Sequence, residues 1–156
     1  MKSSFVTNII AALFILLFTY AAISKILDYE NFSMQLSVFP YLPHFIKYFA
    51  WVIPLSELMI VALLMLHRYR LAGFYASLLL LIFFTFYLFA VIMFAPGIPC
   101  TCGGILQELS WKAHIIFNAC FIGLGLIGIW LEKKLLHKTL MNKNIVATNR
   151  GIRKPV

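Results

Sequence analysis

Four long apolar runs, set apart by short polar stretches, take up most of the chain. The first covers about residues 5–24 and is bracketed by Lys2 and Lys25. The second covers about 48–66 and the third about 71–94, with only the basic turn His67-Arg68-Tyr69-Arg70 between them; the fourth covers about 113–131. A helix needs roughly 20 apolar residues to cross a hydrocarbon core, so each run predicts one crossing. Residues 26–47 are mixed in character. Asp28 stands where it caps a short helix, and Phe32, Leu36 and Phe39 recur at helical spacing until Pro40 and Pro43 stop it. This pattern predicts a helix lying on the membrane surface. Beyond the fourth run, residues 132–156 are expected to form a basic tail that fades into a disordered end.

Composition fixes the class. Of the 156 residues, 63% are hydrophobic and 12% charged, and the mean hydropathy is +0.95. A soluble domain is not built this way, and four spans leave no room for a separate soluble catalytic module. The expected fold is therefore all-α, an integral membrane four-helix bundle over residues 1–131 with a short interfacial helix between the first and second spans. A basic start and an apolar core also open a secretory leader. Thr19-Tyr20-Ala21 is a poor cleavage site, however, and three more spans follow, so the first run is expected to stay as a span.

The formal charge of +8 raises nucleic acid as a partner, but the basic residues fall between spans and in the tail, where they set topology and meet anionic headgroups. Lys2, Arg68, Arg70, Lys133, Lys134, Lys138, Lys143, Arg150, Arg153 and Lys154 lie on one side, ten of the thirteen; Lys25, Lys47 and Lys112 lie on the other. The positive-inside rule then puts both termini and the tail in the cytoplasm and the segment between the third and fourth spans outside. In a bacterial inner membrane that outer face is the periplasm, and the interfacial helix lies there too.

The outer segment carries the candidate chemistry, Pro99-Cys100-Thr101-Cys102-Gly103-Gly104. Two thiols one residue apart close a disulfide only by straining the backbone between them, and a strained disulfide is readily reduced. Such a pair suits electron exchange better than stapling; a short structural bridge and two unrelated thiols are the other readings. The topology brings Lys25, Glu57, Cys100, Cys102 and His114 into one half of the bilayer. Glu57 sits deep in an apolar run, where pairing with Lys25 offsets part of its cost and where ionisable groups mark sites. His114 and Asn118, four apart, share a helix face and serve either an interhelical hydrogen bond or a role near the thiols. Cys120, about two turns deeper on another face, is expected to be a small buried apolar residue. The rings of 83–94 read as lipid contact and helix packing.

Ser24-Lys25, Phe32 with Tyr41-Leu42-Pro43, Pro54-Leu55-Ser56-Glu57-Leu58, Cys100-Thr101-Cys102-Gly103-Gly104 and Asn118 occur in an order that resembles the MauE family, within the wider DoxX-like group of small four-helix membrane proteins. The resemblance covers about residues 5–131. It implies thiol chemistry in a redox-associated membrane protein, MauE being implicated in maturing the disulfide-rich small subunit of periplasmic methylamine dehydrogenase. One departure is that Gly103 and Gly104 directly follow the second cysteine, where family members often carry an aromatic first. The chain also lacks the second cysteine pair of complete quinone-coupled disulfide oxidases, so exchange is expected to run directly between Cys100/Cys102 and a periplasmic thioredoxin-like protein or cysteine-containing client.

In that mechanism Lys25 favours the thiolate and Glu57 or His114 takes the proton. A membrane quinone held between the helices is one electron acceptor consistent with this chemistry, although no quinone motif is visible. Two other function classes stay open. Cys100, Cys102 and His114 suit copper or zinc in a metal-assembly factor, and a static Cys100–Cys102 bridge suits a scaffold that recruits a periplasmic protein.

Overall fold

The computed structural model describes residues 2–36, 46–94 and 111–152. Every element among them is helical: α1 (Lys2–Leu27), α2 (Tyr29–Leu36), α3 (Ile46–Met65), α4 (Arg70–Phe94) and α5 (Trp111–Ile152). The expected helix stop at Pro40 and Pro43, the Tyr41-Leu42-Pro43 segment and the Cys100/Cys102 loop lie outside the described residues. Helices α1, α4 and α5 are long and apolar enough to cross a bilayer, whereas the apolar stretch of α3, Ala50–Met65, is shorter. The chain is thus a membrane protein whose outer face meets lipid. Leu16, Leu79 and Phe86 are 70%, 71% and 71% exposed on the protein surface, an arrangement that lipid favours and water does not.

Helix α1 packs between α3 and α5, and α4 packs between the same two, so α1 and α4 face each other across the bundle with few contacts. Phe14 sits at the centre, fully buried, with its ring edge-on to Phe74 at 5.9 Å and to Phe121 at 5.5 Å. Edge-to-face pairs of this kind add to plain burial, and Ile10, Phe18, Ile60, Leu64, Leu81 and Ile129 close the core around them. Two glycines let helices come this close. A Cβ on Gly128 would stand 2.9 Å from Phe74 Cε1, and one on Gly73 would stand 3.0 Å from the backbone nitrogen of Leu64, where the short turn folds α4 back on α3. Small residues at such crossings replace the hydrophobic driving force that helices in lipid lack.

Asp28 stands just before α2, and its carboxylate accepts a hydrogen bond from the side chain of Asn31, Nδ2, at 2.7 Å. Helix α2 lies against α3 through the rings of Tyr29 and Trp51, 5.6 Å apart, and buries Phe32. Pro54 falls inside α3 and removes one backbone donor. The Ser56 hydroxyl donates to Ile53 O at 2.7 Å in the same turn.

Two sequence expectations are corrected. The basic tail after residue 131, expected to fade into disorder, is helical as far as Ile152, because Glu132, Lys133, Lys134 and Leu135 end the hydrophobic run without ending helix propensity. Cys120 is exposed on the outside of α5 rather than buried. The inner face of α5 is set by His114, Asn118, Gly125 and Ile129, which turns Cys120 outward. Facing lipid, a small apolar thiol loses nothing by leaving the core.

Candidate functional site

One end of the bundle holds a partly open cavity of about 60 Å³ among α1, α3, α4 and α5. Its apolar walls include Phe18, Leu81, Phe84, Leu88 and Phe117, and its polar lining is Lys25, Glu57, His114 and Asn118. Each polar residue is brought there by a different local cause. Lys25 ends α1 and turns inward in phase with Phe18 and Ala22, both buried. Glu57 lies one turn after Pro54, on the face of α3 that also buries Pro54, Ile60 and Leu64. His114 stands in the first turn of α5 and Asn118 one turn later on the same face, 8% and 4% exposed.

The ion pair dominates the electrostatics. Lys25 Nζ donates to Glu57 Oε1 at 2.7 Å, with the two side chains 5% and 2% exposed. A second bond from Nζ reaches Ala21 O at 3.3 Å, and the ammonium lies 5.1 Å from the Phe84 ring centroid and 5.9 Å from that of Phe32. Two aromatic faces and a carboxylate thus compensate one buried cation. The other carboxylate oxygen, Glu57 Oε2, and the ring nitrogen His114 Nδ1 are buried with no hydrogen-bond partner among the described residues.

Asn118 does form the interhelical bond: its Nδ2 donates to Thr85 Oγ1 at 3.3 Å, and the Thr85 hydroxyl donates in turn to Leu81 O at 2.8 Å. Thr85 was not legible as a site residue. Its only signal was a hydroxyl amid the phenylalanines of α4.

Lys25, Glu57 and His114, three of the expected site residues, therefore meet at one cavity. Cys100 and Cys102 lie outside the described residues. Among the described residues no group of three or more His, Cys, Asp or Glu is placed to hold a metal ion. Chemically, the arrangement presents a carboxylate, an imidazole and an ammonium to a small, partly open cavity.

A second polar cluster ties the opposite end. Arg70 Nη1 donates to Asn8 Oδ1 at 2.8 Å, its Nη2 contacts the His67 ring at 2.9 Å from Nε2, and Nη1 lies 4.0 Å from Glu132 Oε2. Sequence reasoning used Arg70 only as a charge that sets topology, yet it is 6% exposed and joins α1, the turn before α4, and α5.

Compared with known proteins, the chain matches the family described as methylamine utilisation protein MauE over residues 3–131. No curated protein and no solved structure shows significant similarity to it.

Proposed function

The chain belongs to the MauE family, and from that premise we propose that it is an inner-membrane thiol–disulfide redox protein that presents Cys100 and Cys102 to the periplasm. The observation that carries this reading is the cavity. Three helices commit Lys25, Glu57 and His114 to the inside of an apolar bundle, at a cost in desolvation that a purely structural scaffold has no need to bear. His114 lies in the first turn of the helix that follows the cysteine segment, twelve positions after Cys102.

In the proposed topology α3 is a fourth crossing, α2 lies at the periplasmic surface, and both termini are cytoplasmic. The Arg70 cluster supports the fourth crossing. It gathers Asn8, His67 and Glu132 at one end, while Lys25 and Glu57 pair toward the other, so α3 runs antiparallel to α1 between the two ends.

A client thiolate attacks one sulfur of the Cys100–Cys102 disulfide, forming a mixed disulfide and releasing the other cysteine as thiolate. The client's second thiolate then resolves that bond, leaving the client oxidised and the pair reduced. Maturation of a disulfide-bearing periplasmic client, as in methylamine utilisation, is the process this chemistry serves. The test is trapping. Run in reverse, the Cys100 thiolate attacks a client disulfide and releases one client thiolate, and Cys102 would then free the client; a Cys102→Ser variant should therefore accumulate a mixed disulfide with a periplasmic protein, and Cys100→Ser should abolish it. Absence of trapped species from both variants, with thiols that release stoichiometric zinc or copper on acidification, would replace this reading with a metal site.

A further inference from the structure

Glu57 and His114 come from different helices and line the same cavity, and Glu57 Oε2 and His114 Nδ1 are both buried without a hydrogen-bond partner among the described residues. A buried polar atom in that state carries its full desolvation penalty, so the cavity is built for something that bonds to both. Size limits the choice. At about 60 Å³ the space is well short of the roughly 150 Å³ dry cavity that takes up benzene, so its fit is to small polar molecules. A water needs roughly 10–15 Å³ and two to four polar partners, and Lys25, Glu57, His114 and Asn118 supply those partners. Charge limits it further. The Lys25 ammonium, 2.7 Å from the carboxylate, repels a metal cation, and the carboxylate repels an anion.

We propose that the cavity is a water-filled proton site in which Glu57 Oε2 and His114 Nδ1 exchange a proton through bound water. The charged and titratable groups facing it among the described residues are Lys25 from α1, Glu57 from α3 and His114 from α5; α4 contributes the Phe84 ring, with Thr85 behind Asn118. Lys25 is held by Oε1, which leaves Oε2 as the working oxygen of the carboxylate. No electron moves in this step: a proton passes from water to one group while the other returns one to water. The use of that proton rests on the thiol-exchange reading, in which an attacking thiol must lose a proton and a leaving thiolate must regain one. The hydration does not depend on that reading.

The test has two arms, both on the full chain in lipid nanodiscs. X-ray radiolysis makes hydroxyl radicals from bound water in place, and mass spectrometry maps the oxidised side chains. Phe84 and Phe117, beside the cavity, should be labelled well above Phe14 and Phe74, which are fully buried in the apolar core. A Lys25→Met/Glu57→Leu double variant should bring Phe84 and Phe117 down to the Phe14 level. Equal, background labelling of all four rings in the unaltered chain would overturn the proposal.

In the second arm, the rate of exchange with glutathione disulfide is followed against pH. Glu57→Gln and His114→Gln should keep the labelling but each lose a limb of the pH profile. His114→Gln, which leaves the ion pair intact, decides the matter if Glu57→Gln does not fold. Unchanged profiles would overturn the proton role. An unaltered chain that exchanges no thiols would instead remove the thiol-exchange reading, with the labelling arm still deciding the hydration.

Discussion

A lysine ammonium and a glutamate carboxylate 2.7 Å apart inside an apolar bundle are each far more costly alone than together. Removing one partner strands the other, at about 3–5 kcal/mol for buried pairs. Lys25→Ala and Glu57→Ala should therefore each lower stability by that order, and the double variant by much less than their sum. Thermal unfolding in detergent across the double-mutant cycle measures this, and additive losses would mean that the two charges do not pair. The pair was legible in the sequence because Glu57 is the one acidic residue deep in an apolar run and Lys25 the basic residue nearest in depth. The Asn118–Thr85 bond was not, because one sequence sets the helical phase of each residue but not which faces of α4 and α5 meet. Cys120 misled for another reason. The rule that cysteine is buried comes from proteins in water, and lipid removes its cause.

At the scale of elements, the four apolar runs announced four of the five helices among the described residues, since about 20 apolar residues leave few alternatives. The end of α5 was hidden because a charge boundary marks where lipid stops, not where a helix stops. Helix crossings are where single substitutions should act most sharply. Gly128→Ala places a methyl against the Phe74 ring and should destabilise by about 1–3 kcal/mol, as overpacking does. Gly123→Ala meets nothing within 4 Å and, inside α5, should raise stability by about 0.5–1 kcal/mol through helix propensity. The two unfolding midpoints, compared in one detergent, check the crossing geometry, and equal losses would contradict it.

For the whole molecule, the ten-to-three division of basic residues predicts an orientation that reagents can read. A membrane-impermeant maleimide applied to reduced spheroplasts should label Cys100 or Cys102 and spare Cys120. A lipid-soluble maleimide should reach Cys120, whose side chain faces outward. Labelling of the pair only after lysis would reverse the orientation. The two polar clusters also constrain how the bundle moves. Helix α1 is tied at both ends, through Asn8 to Arg70 and through Lys25 to Glu57, with the two ties roughly 25 Å apart at about 1.5 Å per residue. A piston stroke of α1 by one turn, about 5.4 Å, would break both at once. Tilting or rolling of the helices about these two rivets strains them far less, so the bundle is built to resist sliding of α1 more than rocking.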